Sequence, residues 1–353
     1  MLAELRIEDL RCIERAELSF CSGTNLIYGA NGAGKTSILE AIFLLGRGRS
    51  FRTRLNERLI RHGQASFRVI GQTCSTSRLS HNIGIEVSRD ATTLARLDGQ
   101  TTRSFAELAL AFPIQALDPD THKLIEDSSA RRRRWLDWLV FHVEHSFAQA
   151  WTRYQRALLQ RNAALRSGLN DVGGWDLELA KQGEVMTAAR AQVLLALQPY
   201  WRDLSENLLG VELSVIFQAG WDRSMSLSDA LASNSSRDRD RRTTTIGPHR
   251  ADVALRIEGK AAREVLSRGQ QKLAAIALSL CQLEYLKSEH GLVPSLLLDD
   301  PSAELDQDRL GRFIRRVQAL ETQIIVTALD RNYRLFGEPK NVFHVEQGKV
   351  YRL

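Results

Sequence analysis

Gly29-Ala30-Asn31-Gly32-Ala33-Gly34-Lys35-Thr36 matches the pattern G-x-x-x-x-G-K-[ST] at every position. The apolar run Leu26-Ile27-Tyr28 before it reads as a strand. The run Ser37-Ile38-Leu39-Glu40-Ala41-Ile42-Phe43-Leu44-Leu45 after it reads as a helix with an apolar face. Strand, loop and helix in that order make a phosphate-binding loop rather than a plain glycine turn. Glycines let the backbone close around phosphate oxygens with its N–H groups turned inward, and the helix offers its positive end to the anion. Lys35 has the reach for β- and γ-phosphates, and the Thr36 hydroxyl can ligate Mg²⁺.

The other half of such a site lies near the end of the chain. Leu296-Leu297-Leu298 is a continuous apolar run, as a parallel strand buried on both faces requires, and it ends in Asp299 and Asp300. Ligands of parallel sheets bind at the C-terminal strand ends. Asp299 is expected to hold Mg²⁺ through water, and Asp300 to act as general base on the attacking water. Ile324-Ile325-Val326-Thr327 is a further strand expected to end near the γ-phosphate.

The chain has 353 residues and a formal net charge of +6. That length permits two domains or one domain with a large insertion. A basic balance permits a nucleic-acid partner without requiring one. The four cysteines, Cys12, Cys21, Cys74 and Cys281, are scattered without a C-x-x-C pair, so neither a zinc site nor a disulfide framework is indicated. No apolar run approaches the roughly 20 residues that span a bilayer, and Met1 to Arg6 lacks a signal peptide's apolar core. A cytoplasmic protein with no membrane partner is expected.

Strands are expected at 2–7, 16–20, 67–73, 82–87 and 92–97, which embeds the phosphate loop in a region rich in antiparallel strands. From Ser128 to about Gly210 the pattern is helical, with Trp135, Leu136, Leu139, Val140, Val143, Phe147, Trp151 and Tyr154 at spacings of three and four. A second long helix is expected from Trp175 to Leu197, ending before Pro199, to form a helical hairpin with the first. Neither carries heptads long enough for an extended coiled coil. Strand character returns at 211–218 and 253–257. Ser233 to Arg242 (SNSSRDRDRR) mixes both charge signs and reads as a mobile, solvated loop. Leu266-Ser267-Arg268-Gly269-Gln270-Gln271-Lys272 opens a strongly apolar helix, with Ser267 as its N-cap.

The same seven residues resemble the LSGGQ signature of ABC-type ATPases, in which the serine, the glycine backbone and the helix N-terminus bind the γ-phosphate held by the opposite subunit. Ser267, Gly269 and Gln270 match, and Arg268 replaces the glycine usual in transporters. A cap and an anion site are compatible. Pro301-Ser302-Ala303-Glu304-Leu305-Asp306 resembles the D-loop of that class, with Asp306 as its acid. Gln115 sits where a Q-loop glutamine belongs, and also where a surface glutamine near a turn would. Thr327-Ala328 stands where the class has a switch histidine, which puts that role in doubt.

Taken together, the motifs resemble the RecF family, bacterial recombination and repair ATPases related to SMC proteins. They include Leu5-Arg6-Ile7, Asp9-Leu10-Arg11, GANGAGKT, GRGRSFR (47–52 within it), RRRWLD (132–137), Arg161-Asn162-Ala163-Ala164-Leu165, GPHRAD (247–252), LSRGQQK and the Asp299-to-Asp306 run. The resemblance implies an α/β fold: an ABC-type ATPase head, with a mixed sheet around the phosphate loop and an antiparallel β subdomain, interrupted by an inserted helical hairpin. Residues 1–115 with 244–353 are expected to form the head, and 116–243 the mainly helical insertion.

It further implies ATP and Mg²⁺ as cofactors, slow DNA-dependent hydrolysis, and an ATP-dependent homodimer on gapped or junction DNA, single- and double-stranded. RecO and RecR are the implied partners in loading RecA, with roles in replication and SOS induction near the nucleoid. The site residues carried over are Gly29 to Thr36 (Gly29, Ala30, Asn31, Gly32, Ala33, Gly34, Lys35, Thr36), Ser267, Arg268, Gly269, Gln270 and Asp306 for nucleotide. Thr36 and Asp299 are carried over for metal, and Lys35, Asp300 and Gln115 for catalysis. Arg47, Arg49 and Arg52, with Arg54, are candidate DNA contacts, as are Arg131 to Arg134. For each cluster, pairing within the fold is the alternative. A transporter's nucleotide-binding subunit and a scaffold with a vestigial ATP site are the competing readings. Arg268 and the missing histidine weigh against the first, and the intact Lys35, Thr36, Asp299 and Asp300 against the second.

Overall fold

The computed structural model describes residues 1–53, 55–74, 80–102, 105–169, 172–301 and 307–353. In chain order, β1 (Leu2–Leu10), β2 (Ile13–Ser19) and β3 (Thr24–Tyr28) lead into the phosphate loop and α1 (Lys35–Arg47). Then come β4 (Ser66–Cys74), β5 (Ser80–Ser88), β6 (Thr93–Leu97), β7 (Gln100–Thr102), α2 (Phe105–Ala111) and β8 (Ile114–Leu117). The helical stretch holds α3 (Lys123–Glu126), α4 (Ser129–Val143), α5 (His145–Arg166) and α6 (Gly173–Leu204). After it run β9 (Ser214–Gln218), α7 (Leu227–Ser233), α8 (Ser235–Arg241), β10 (Asp252–Ile257), β11 (Lys260–Ala261), α9 (Ala262–Val265) and α10 (Arg268–His290). β12 (Ser295–Asp299), α11 (Gln307–Ala319), β13 (Ile324–Ala328), β14 (Asn341–Glu346) and β15 (Lys349–Arg352) complete the chain. Two compact units result: Met1–Thr121 with Gly291–Leu353, and His122–His290.

In the first unit two six-stranded sheets pack on α1. One is antiparallel, in the order β2-β1-β4-β5-β6-β7. The other runs β15-β14-β3-β13-β12-β8 and is parallel except for the β14–β15 hairpin. Ile38, Leu39, Ile42 and Leu45 of α1 are fully buried in one core with Ile7 of β1, Val69 of β4 and Ile27, Leu297 and Ile325 of the parallel sheet. The apolar face seen in the sequence is therefore an apolar circumference, which only a helix covered on both sides can carry. Each such Leu or Ile contributes about 1.5–3 kcal/mol by leaving water. Buried Gln323 ties the two sheets. It accepts from the Leu2 N–H (2.8 Å) and the Ser295 hydroxyl (2.9 Å), and donates to the Leu2 (2.6 Å) and Cys21 (2.9 Å) carbonyls.

The parallel register sets Ile27 of β3 beside Thr327 of β13, and Thr327 beside Asp299 of β12. The C-terminal ends of three neighbouring strands are thereby level.

In the second unit α5 packs along α6, and α10 packs against α4 and α6. Residues 244–290, expected in the head, belong here instead. β10 pairs with β9 (Asp252↔Gln218 through Arg256↔Ser214), and α10 is buried along most of its length among the helices. The first boundary likewise falls at Thr121 rather than 115. The helix expected to end before Pro199 runs on to Leu204. Pro199 is exposed, and so is Leu195, whose carbonyl lacks the usual N–H partner, while buried Trp201 and Leu204 hold the last turns in place. The first helical pattern breaks at Glu144, between α4 and α5, and Trp151 is exposed.

Buried arginines hold this unit together. Fully buried Arg161 donates to Asp176 (2.5 Å), Asp238 (2.7 Å) and Thr244 (2.9 Å). Asp238 also accepts from Asn234 and Thr245. The stretch expected to be a solvated loop is therefore the helix α8, anchored from within through one of its own acids. Arg190 forms a bidentate pair with Asp137 (2.7 and 2.9 Å) and donates to the Pro248 carbonyl. Arg132 forms another with Asp252 (2.8 and 2.9 Å), and Arg133 donates to the Ala251 carbonyl. Arg131 pairs with Asp127, and Arg134 also has a partner. For the 131–134 cluster, pairing within the fold is what the structure contains, and Arg132, Arg133 and Arg190 together hold the segment 247–252. His249 lies in the same network. Its Nε2 faces the Thr244 carbonyl (3.0 Å), so that nitrogen carries the proton and Nδ1 accepts from the Tyr154 hydroxyl (2.7 Å).

Two measurements check this network. Asp238→Ala leaves Arg161 buried beside a lost partner and is expected to cost about 3–5 kcal/mol in urea unfolding. Burial pulls the His249 imidazole down from 6.5 to about 4. As pH falls, the unfolded chain takes up the proton first. Stability is therefore full above pH 6.5 and declines toward pH 4 by up to roughly 3 kcal/mol. His249→Gln is expected to flatten the stability profile over that window.

Candidate nucleotide site

The phosphate loop turns sharply between β3 and α1, and its glycines are required where the backbone comes closest to its neighbours. A Cβ at Gly29 would lie 2.2 Å from the Val345 carbonyl oxygen. One at Gly34, where φ is +118°, would lie 2.9 Å from the Cys12 sulfur. The loop is pinned by the Gly29 N–H to the Ala328 carbonyl (3.3 Å) and the Gly348 N–H to the Ala33 carbonyl (2.8 Å). Lys35 is folded back on the loop and donates to the carbonyls of Gly29 (2.7 Å) and Ala30 (2.9 Å). Burial lowers its pKa, and the Asp300 and Asp299 carboxylates oppose that shift.

A cleft of about 520 Å³ opens over the loop, lined by Asn31, Gly32, Gly34, Lys35, Thr36 and Ser37 with Asp299, Asp300, Thr327, Pro119, Arg11, Cys12 and Arg52. The Thr36 hydroxyl lies 3.0 and 3.1 Å from the two Asp299 oxygens. Fully buried Thr327 donates to Asp299 (2.8 Å) and accepts from the Asp300 N–H (3.1 Å). Asp300 itself is left-handed, with φ 48°. Thr327 thus fixes both acids, a role hidden in the sequence because attention falls on the histidine that is not there.

Glu40 is the other residue the sequence conceals. It is fully buried in α1 and receives Arg11 through two bonds (3.1 and 3.2 Å), the Ser50 hydroxyl (2.5 Å) and, at 3.8 Å, Arg52. Its charge holds two arginines at the rim of the cleft. The sequence offers only a lone acid three residues after Ser37 in an otherwise apolar run, which marks nothing until the helix is known to be buried all round.

The remaining candidates lie elsewhere. Gln115 is buried in β8, accepts from Arg47 (3.0 Å) and does not line the cleft. Arg47 is occupied by that bond and by the ring of Phe43, 5.5 Å away, and so is directed inward rather than offered to DNA. Arg49 and Arg52 are exposed. Arg54, Asp306 and the rest of Ser302–Asp306 lie outside the described residues. Ser267, Arg268 and Gly269 are exposed in the second unit at the start of α10. The Ser267 N–H donates to Gln270 Oε1 (3.0 Å) and the Gln270 N–H to Ser267 Oγ (3.4 Å), a reciprocal capping box. Among the described residues no group of three or more His, Cys, Asp or Glu side chains is placed to hold a metal, and no helix is long and apolar enough to cross a membrane.

The family model for the RecF/RecN/SMC N-terminal domain matches residues 1–350. The DNA replication and repair protein RecF of Pseudomonas paraeruginosa is 37% identical over 99% of this chain and 97% of its own length, and that of Erwinia tasmaniensis 38% over 99% and 98%. The chain belongs to the RecF family. A solved structure described as the recombination mediator protein RecF with ATP in the RecFOR pathway covers all of this chain and 97% of its own, at a TM-score of 0.88 and 27% identity. An SMC head bound to the C-terminal winged-helix domain of ScpA matches at a TM-score of 0.62 and 17% identity, and shares the fold. The α/β head expected from the sequence is thus the fold of RecF and SMC ATPases.

Thr327→Val keeps the volume and removes the hydroxyl that both acids use. It is expected to lower stability by about 1–3 kcal/mol. ATP turnover should fall about tenfold or more, with a much smaller change in nucleotide affinity, measured by single-turnover hydrolysis and equilibrium titration.

Proposed function

We propose that this protein is an ATP-dependent DNA-binding repair ATPase whose nucleotide site is completed by a second copy of the chain. The observation that carries the reading is the convergence of Lys35, Thr36, Asp299, Asp300 and Thr327 over one phosphate loop at level strand ends. The donor set suits ATP with Mg²⁺. A hydroxyl and a carboxylate within 3.1 Å of each other are hard oxygen ligands, few in number, as expected where phosphates and water complete the shell. Bound Mg²⁺ would supply neutralisation of the β- and γ-phosphate charge.

The chain's own groups then divide the work. The loop N–H groups cradle phosphate oxygens. Lys35 exchanges the Gly29 and Ala30 carbonyls for phosphate oxygens, a short swing of a flexible ammonium. Thr36, and Asp299 through water, would hold the metal. Asp300, with its backbone fixed by Thr327, takes the proton of the attacking water. Arg11 and Arg52, steadied on Glu40, face the phosphates from the rim. Such catalysis is almost entirely positioning and electrostatics, and turnover is expected to be slow without DNA.

Ser267, Arg268, Gly269 and Gln270 act on the γ-phosphate of the other copy, with the Asp306 loop at the same interface. ATP therefore joins two subunits, and hydrolysis parts them. The solved neighbours are described as recombination mediators in the RecFOR pathway, which supports a dimer that engages gapped or junction DNA and works with RecO and RecR in loading RecA, with roles in replication and the SOS response. Arg49 remains a candidate DNA contact near the site, and Gln115 acts at most through Arg47.

DNA binding measured with and without ATP across a salt series tests the reading. The wild-type protein is expected to bind in an ATP-dependent, salt-sensitive way. Lys35→Arg should lose the ATP dependence. Ser267→Arg should keep monomer nucleotide binding and lose the ATP-induced dimer in sedimentation. An unchanged dimer in that variant overturns the split site, and absence of DNA binding at low salt overturns the function.

A further inference from the structure

We propose that α8 and its C-cap, which expose Arg237, Arg239, Arg241 and Arg242, form a second contact surface for the phosphate backbone of DNA. The inference rests on the DNA-binding reading above and adds a surface on the other unit. In sequence, Arg237-Asp238-Arg239-Asp240-Arg241-Arg242 holds four arginines and two aspartates. In the structure the exposed balance is more positive still. Asp238 is fully buried, and its two oxygens are taken up by Arg161, Asn234 and Thr245. The other five residues are exposed. What faces solvent is four guanidinium groups and a single carboxylate, Asp240. Among the described residues, none of the four arginines has an ion pair.

This arrangement has an internal cost. Arg237 and Arg241 stand at i and i+4, where like charges repel along a helix, and α8 has only seven residues. The buried Asp238 anchor holds the helix against that repulsion. Seven helical residues span about 10 Å, so the charge is concentrated on the scale of a few DNA phosphates.

The chemistry favours nucleic acid over an acidic protein. The exposed residues from 235 to 242 are serine, arginine and aspartate, with no apolar side chain among them. Protein interfaces need an apolar, desolvated centre, whereas phosphate contact needs only cations. Arginine's planar fork suits phosphate oxygens, and contacts to the phosphate backbone carry no sequence information.

The test uses the full chain with Arg237, Arg239 and Arg241 changed to Gln, and Arg242→Asn because Arg242 is left-handed at φ 52°. Affinity for duplex DNA is measured against salt. The expected result is weaker binding and a slope of log K on log salt shallower by about 0.9 per lost contact, roughly 2–4 in all, with the unfolding midpoint and ATP-induced dimer unchanged. Asp240→Asn works in the opposite direction, and should tighten binding and steepen the slope, which keeps the test decisive if the quadruple variant misfolds. Unchanged slopes in a variant of a DNA-binding wild type overturn the inference alone. Absence of wild-type DNA binding overturns the parent reading. A quadruple variant that keeps its DNA slope but loses binding to polyglutamate assigns the patch to an acidic protein, and overturns it too.

Discussion

The level ending of β3, β13 and β12 is the constraint on which the nucleotide site depends. A backbone ladder sets Ile27, Thr327 and Asp299 side by side. Because both faces of these strands are packed, a slip of one residue would turn Asp299 and Thr327 away from the loop and drive polar groups into the core. Thr36 arrives at the same place because α1 is clamped between two sheets. The short bonds from Thr36 and Thr327 to Asp299 are therefore consequences of main-chain register, not of side-chain reach. Catalysis by fixed charges needs such preorganisation, since groups that reorient during the reaction lose much of their effect.

The second unit solves a different problem with different means. Its segment 244–252 has little apolar content with which to hold itself, and it is fixed instead by Arg161, Arg190, Arg132 and Arg133. Buried ion pairs repay their desolvation poorly, and apolar packing often gives as much stability. Bidentate pairs do fix direction, however. Arg132 with Asp252 and Arg190 with Asp137 each set a planar fork against a planar carboxylate, and each joins elements far apart in sequence. One result is that arginine-rich sequence is a poor guide to positive surface. Arg131 to Arg134 are engaged within the fold, whereas the stretch around Asp238, of mixed charge on paper, exposes four arginines and one carboxylate.

What could be read in the sequence was whatever is local. The phosphate loop, the run ending in Asp299 and Asp300, and the cap at Ser267 each declare themselves within a few residues, because backbone sterics and strand burial impose them locally. The rest depends on what packs against what. Glu40 looks like an ordinary helix residue until α1 is known to be covered on both sides. Asp238 looks solvated until Arg161, 77 positions away, is placed beside it. Pro199 is a stop signal that holds only if no buried residue lies beyond it, and Trp201 does. The boundary at 244 failed for the same reason: β10 finds its partner in β9, a contact that composition does not record.

The cap at Ser267 and an anion site at the same helix end are compatible for a geometric reason. An α-helix leaves its first four N–H groups without helical partners. At the start of α10 the Gln270 N–H is taken by the Ser267 hydroxyl, and the Gln271 N–H by the Ser267 carbonyl. The N–H groups of Arg268 and Gly269 have no acceptor inside the helix, and both residues are exposed, with open space where a Gly269 side chain would begin. The cap thus orders the helix end without consuming the donors an anion would use. Arg268 adds a full positive charge where the transporter signature has only a glycine, so an approaching γ-phosphate would meet a cation as well as a dipole. A guanidinium is thus added to the serine, the free N–H groups and the dipole, so an anion at this helix end would be held by full charge as well as by hydrogen bonds.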